Sequence, residues 1–191
     1  PSVEAFFIGR YYMYQQVYHH KGTRAAEVLV RALFARLVAL VRDGSPPDLM
    51  PRAILAACRG EQVALGDYVQ LDDAVLLNAI DAWTRADDAL LCDFATRVRE
   101  RRLPKTVPLP EGRSDAWAVA LERAKAVARR HGRDADLEVV LDVASDVPYA
   151  EPLGDSPDGL WVVLRHRGVR RLGDLSFLLG ELRNKQIERP R

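Results

Sequence analysis

The chain has 191 residues, 48% of them hydrophobic and 29% charged, which fits one ordinary globular domain or a little more. A formal net charge of +1 gives no bulk pull toward nucleic acid or any other partner, and no recognised nucleic-acid motif occurs. No run of about 18 apolar residues occurs, which argues against a membrane span.

The elements follow in chain order. Val3 to about His20 is expected to be helical, with Phe6, Phe7, Met13 and Val17 on a helical period. Gly22 is placed to bend or break that helix, and Thr23 to cap the next, which runs to about Arg42. Val28, Leu29, Ala32, Leu33, Leu37, Leu40 and Val41 give this second helix a broad apolar face, and the run from Asp43 to Pro47 stops it. Pro51 to Cys58 is a short helix, and Gly60 to Gly66 a loop. Asp72 and Asp73 open a helix that reaches Trp83, and another spans Asp87 to about Arg101. Pro104 ends that helix, the run Pro108 to Gly112 is a linker, and Ser114 caps a helix to about Arg130 that Gly132 ends.

β-branched residues then dominate. Leu137 to Val143 and Leu160 to Leu164 are predicted strands, joined by a polar loop from Ser145 to Gly159. Gly168 allows a turn, and Leu172 to about Lys185 is a final amphipathic helix. The fold class is therefore mainly α with a small C-terminal α+β lobe, and the division runs 1–107 and 108–191.

Cys58 and Cys92 stand alone with no motif spacing and are expected to be buried thiols of a reducing, cytoplasmic compartment. Arg97, Arg99, Arg101, Arg102 and Lys105 crowd one stretch opposed only by Glu100. Such a cluster can hold phosphates, or it can be a solvated helix end where cations suit the dipole. His131 and His166 are expected at the surface.

The most informative run is Arg10 to Lys21, RYYMYQQVYHHK. On an α-helix Arg10, Tyr14 and Tyr18 fall at i, i+4 and i+8, so a guanidinium stands above two phenols, and Lys21 extends the stripe if the helix persists. That face suits a nucleotide, with Arg10 on phosphate and the rings against sugar or base. The same stripe could pack against a neighbouring helix. His19 and His20 point about 100° apart on a helix and are poorly placed to chelate one metal ion.

This run resembles the R-Y-x-M-Y-x-x-V-Y-x-H-K segment of HD-domain phosphohydrolases, the family that includes the SAM-and-HD-domain dNTP triphosphohydrolases and their bacterial relatives. Thr23 to Glu27, Asp72 to Trp83, Asp88 and Arg101 to Lys105 are similar to later blocks of the family. The resemblance implies hydrolysis of (deoxy)nucleoside triphosphates to nucleoside and triphosphate. It also implies a divalent metal (Mg, Mn or Fe) held by a His, a His-Asp pair and a distant Asp. It implies substrate contacts from Arg10, Tyr14 and Tyr18, an allosteric nucleotide site involving His20, Lys21, Arg101 and Lys105, and a homo-oligomer, dimer or tetramer. None of the four histidines precedes an Asp, so the eponymous pair is not in this chain. Together with a first residue Pro1, this leads to the expectation of a C-terminal fragment that is inactive alone and binds no metal itself. A non-catalytic nucleotide-binding or regulatory module, or a structural helical domain, stays open as an alternative.

Overall fold

The computed structural model describes residues 2–147, 149–152, 156 and 158–191, so part of the expected loop from 145 to 159 lies outside the described residues. The structure is mainly helical, with two small antiparallel sheets in the C-terminal portion. The described helices are α1 (Ser2–Met13), which runs into a π-helical turn (Tyr14–Tyr18), then α2 (Lys21–Arg42), α3 (Arg52–Arg59), α4 (Leu65–Val69), α5 (Asp73–Trp83), α6 (Ala89–Arg99) and α7 (Ser114–Arg130). The C-terminal portion adds α8 (Ala135–Glu138), β1 (Val143–Asp146), β2 (Trp161–Leu164), β3 (Gly168–Arg171), α9 (Leu172–Leu175), α10 (Phe177–Leu182) and β4 (Ile187–Pro190).

Contacts divide the chain into two compact units, but not by a single cut. One unit comprises Pro1–Arg24, Val107–Trp117 and Leu141–Arg191; the other comprises Ala25–Thr106 and Ala118–Val140. A boundary does fall at 106/107. The first helix, however, belongs with the C-terminal segment and most of α7 with the helical unit. This grouping differs from the 1–107 and 108–191 division in where α1 falls, since Glu4 and Phe7 contact Ser176 and Tyr149, more than a hundred residues away.

The helical unit is built on the apolar face of α2. Leu33 and Leu37 are fully buried, and they join Leu29, Leu40, Ile54, Ile80, Trp83, Leu91 and Phe94 in one cluster. The Trp83 indole is buried with its Nε1 donating to the Asp48 carbonyl at 3.1 Å, which satisfies its one polar atom. Asp72 and Asp88 cap α5 and α6 by accepting from the Val75 and Leu91 amides, both at 2.8 Å. Asp88 also receives Arg36 of α2, at 3.0 Å from Nε, so the cap is tied to the central helix.

The other unit has a smaller apolar cluster of Tyr149, Leu172 and Leu179, joined by Phe7 of α1, Val162 and Leu182. β1 pairs with β4 and β2 with β3, both antiparallel. Glu151 is buried beside Arg183, 2.7 Å from its Nε, and Arg183 also reaches Asp174. A Cβ on Gly173 would sit within 2.6 Å of both Glu151 and Arg183, so only glycine lets the α9 backbone approach this pair.

Several elements differ from expectation, each for a local reason. The first helix breaks at His19, before Gly22, and α2 starts at Lys21. His20 rather than Thr23 supplies the cap, its Nδ1 accepting from the Gly22 amide at 3.1 Å. The Gly60 to Gly66 loop contains the start of α4. Residues 137 and 138 are helical because the Asp134 carboxylate accepts from the Asp136 and Leu137 amides. The strand there starts only at Val143. The final helix is two short ones separated at Ser176, whose hydroxyl accepts from Leu179 N and donates to Glu4. β4 then follows, beyond the end expected for that helix, in a stretch for which no element was expected.

Candidate nucleotide-binding face

The α1 helix and its π-turn present the Arg10 to His19 run. None of the described residues of α1 is buried. The helix is braced at three points by residues from the far end of the chain: Ser176 Oγ to Glu4 at 2.6 Å, Tyr149 against Phe7 at 4.6 Å between ring centroids, and Arg189 Nη2 to Gln15 at 2.7 Å. Polar contacts at both ends and a ring contact near the first thus fix the helix while its outer side stays open.

The expected stripe is present. Arg10 Nη2 donates to the Tyr14 hydroxyl at 3.2 Å, and its guanidinium carbon lies 5.4 Å from the Tyr14 ring centroid. The Tyr14 and Tyr18 rings are 5.0 Å apart and tilted by 43°. Arg10 has no carboxylate partner among the described residues, so most of its donors point to solvent. Tyr18 is half exposed and Tyr14 partly buried. A guanidinium with free donors at one end of two tilted aromatic faces can take a phosphate and a planar base together.

The π-turn adds a residue that the sequence did not place here. The His19 amide bonds to the Tyr14 carbonyl at 2.9 Å, an i to i+5 bond. That widening carries position 19 toward position 14, and the two rings meet edge to face at 6.2 Å. On a regular α-helix His19 would lie well off the stripe. His19 is buried, and its Nδ1 has no hydrogen-bond partner. Burial holds its pKa below the ordinary value; Asp146 opposes this, while Arg24, Arg189 and Arg191 reinforce it. Burial therefore favours the neutral imidazole.

Lys21 does not continue the stripe, because the first helix ends two residues earlier and Lys21 opens α2. His20 uses its Nδ1 in the α2 cap. In the basic stretch, acids take up three of the five cations. Arg97 pairs with Asp93 and Glu138, Arg99 with Asp81 at 2.9 Å, and Arg102 with Glu100 at 2.8 Å. Arg101 and Lys105 are exposed and have no acidic partner among the described residues. Arg101 has a left-handed backbone, φ 55°, which ends α6 and turns its side chain out of the helical row. Arg101 and Lys105 lie in the helical unit, His20 and Lys21 in the other.

Among the described residues no three His, Cys, Asp or Glu side chains converge to hold a metal ion, so the divalent ion implied by the resemblance has no fitting ligand set here. Cys58 is buried and Cys92 partly so, both as free thiols; burial pushes the Cys58 pKa up. His131 and His166 are exposed. Among the described residues no helix is long and apolar enough to cross a membrane.

No protein-family model matches the sequence. The chain is 32% identical over 148 residues to YwfO of Bacillus subtilis (strain 168), named as an uncharacterized protein. The match takes in 78% of this chain and 33% of that one, so the chain spans about a third of that relative's length. In structure it is similar to a phosphohydrolase from Bacteroides thetaiotaomicron VPI-5482, with a TM-score of 0.72 and 19% identity over 99% of this chain and 48% of that one. The likeness is one of fold: the chain folds like about half of a phosphohydrolase chain.

Proposed function

We propose that this chain is the C-terminal part of a metal-dependent HD-type phosphohydrolase acting on (deoxy)nucleoside triphosphates and releasing nucleoside and triphosphate. The observation that carries the reading is the open face of α1 and the π-turn, where Arg10 has no carboxylate partner among the described residues and donates to Tyr14, whose ring lies beside that of Tyr18. Arg10 grips the phosphates, and Tyr14 and Tyr18 line the sugar and base. A divalent metal, which would supply the nucleophilic water, would be held by residues other than the described ones of this chain. The phosphohydrolase fold likeness supports this division, since the match takes in about half of that enzyme's chain. Arg101 and Lys105, without acidic partners among the described residues, are the residues that meet the phosphates of a regulatory nucleotide, and the protein assembles into a homo-oligomer.

The test is turnover by the longer protein that contains this chain, supplied with a divalent metal and each deoxynucleoside triphosphate. The expected products are nucleoside and inorganic triphosphate, and Arg10→Ala should lower kcat/KM about tenfold or more by removing a charge-assisted contact. Inorganic phosphate as the product, or unchanged kinetics in Arg10→Ala, would overturn the reading.

A further inference from the structure

A π-turn is a rare departure from the α-helix, and its wide hydrogen-bonded ring forms where other groups secure it. Here the securing side chain is Arg189 of β4. Its Nη2 and Nε donate to Oε1 of Gln15, the second residue of the turn, at 2.7 and 3.2 Å. Its Nη1 donates to Glu111 at 2.6 Å. All three guanidinium nitrogens are engaged, so one planar fork joins the π-turn, β4 and the segment around Glu111. The frame behind the fork is fixed by backbone pairing within one compact unit. Arg189 lies opposite Ala144 of β1, and the Leu109 amide donates to the Pro190 carbonyl at 3.0 Å.

What Arg189 holds bears directly on the two tyrosines. Gln15 follows Tyr14, whose carbonyl accepts the His19 amide at 2.9 Å and so defines the wide ring, and Tyr18 closes the turn. An α-helix advances about 100° per residue, and the wider turn advances less. Tyr18 therefore stands at a different angle from Tyr14 than an α-helix would give it. The 5.0 Å separation and 43° tilt of the two rings belong to the wide turn. Arg10 lies upstream in α1, which Ser176 at Glu4 and Tyr149 at Phe7 brace without Arg189.

We propose, resting on the nucleotide reading of this face, that Arg189 is a positioning residue for the nucleoside half of the ligand. By holding Gln15 it keeps the π-turn open, and the open turn sets the Tyr14 and Tyr18 rings for sugar and base. The hold of Arg10 on phosphate does not depend on it. Arg189 itself touches no ligand; it acts through Gln15. The face thus has two separable parts, a phosphate grip braced near the start of α1 and a ring pair braced from β4.

The test is a titration of the chain with two probes, a deoxynucleoside triphosphate and inorganic triphosphate. Arg189→Ala and Gln15→Leu should each weaken the nucleotide about fivefold or more, as coupled neighbours do, and leave inorganic triphosphate within about twofold, as independent groups do. Gln15→Glu keeps an acceptor oxygen for Arg189 and should keep the wild-type ratio of the two affinities, since any added repulsion acts on both probes alike. Amide exchange gives a readout without nucleotide. The His19 amide should exchange faster in Arg189→Ala and Gln15→Leu and as in wild type in Gln15→Glu. Gln15→Leu leaves β4 and Glu111 untouched, and it decides the matter if Arg189→Ala does not fold. An unchanged affinity ratio in the folded variants, an equal loss for both probes, a Gln15→Glu chain that behaves like Gln15→Leu, or a His19 amide equally protected throughout would each overturn the proposal. A wild type that binds neither probe would instead overturn the nucleotide reading itself, and the positioning role would fall with it.

Discussion

The two compact units hold together by different means. The helical unit has a continuous apolar cluster in which Leu33, Leu37, Leu91 and Phe94 are essentially inaccessible to solvent. Among the described residues, the unit that carries the candidate site has a smaller apolar cluster centred on Tyr149, Leu172 and Leu179, with the buried Glu151 in the same unit. There, ion pairs and side-chain hydrogen bonds connect segments far apart in sequence. Ser176 reaches Glu4 across 172 positions and Arg189 reaches Gln15 across 174. The comparison teaches that scaffold and site are stabilised separately. The candidate face on α1 rests on a set of specific polar contacts, among them Ser176 to Glu4 and Arg189 to Gln15.

That contrast can be broken most forcefully from the apolar side. Phe94→Ala should destabilise the helical unit by about 3–5 kcal/mol through lost burial and the cavity left behind. Denaturant unfolding measures it, and a cost near zero would mean that the cluster is not the stabilising core. On the other side, Glu151→Ala leaves Arg183 without its buried partner and should cost about 3 kcal/mol. The loss should be local: amide exchange should accelerate around Tyr149 and Asn184, whose amide donates to the Tyr149 carbonyl, while residues of α2 keep their protection. Uniform acceleration across both units would contradict the separation.

The smallest effect concerns His19. Its folded pKa is depressed below the ordinary 6.5, so in acid the unfolded chain binds a proton that the folded chain resists. Stability from this group is therefore complete above the unfolded pKa and declines as pH falls through 6.5 toward the folded value. Thermal unfolding of wild type and His19→Gln across that range should show the wild type losing stability faster on acidification. Parallel curves would mean that His19 is not held neutral by its surroundings.

Local signals made the helical unit readable from sequence. The apolar spacing of α2, the carboxylate caps at Asp72 and Asp88, and the stop after Arg42 each act within a few residues. The Arg10, Tyr14, Tyr18 stripe was legible for the same reason, since i, i+4 neighbours are set by the helix itself. What escaped depended on distant partners. The π-turn widens where Arg189 of β4 bonds Gln15, so the place of His19 beside Tyr14 could not be derived from the helix period. The break at Ser176 coincides with its bond to Glu4, and β4 forms because β1 pairs with it. In the basic stretch five similar residues differ only in which have acids in reach, and those acids include Asp81 and Glu138 from other elements.

The most direct test of the central claim is a calorimetric titration of this chain with a deoxynucleoside triphosphate, for wild type and Arg10→Ala. The account predicts saturable binding to the wild type that weakens about tenfold or more when the guanidinium is removed, since a charge-assisted contact to phosphate amounts to roughly 1.5–3 kcal/mol. Identical isotherms for the two proteins, or no heat with either, would contradict a nucleotide face on α1.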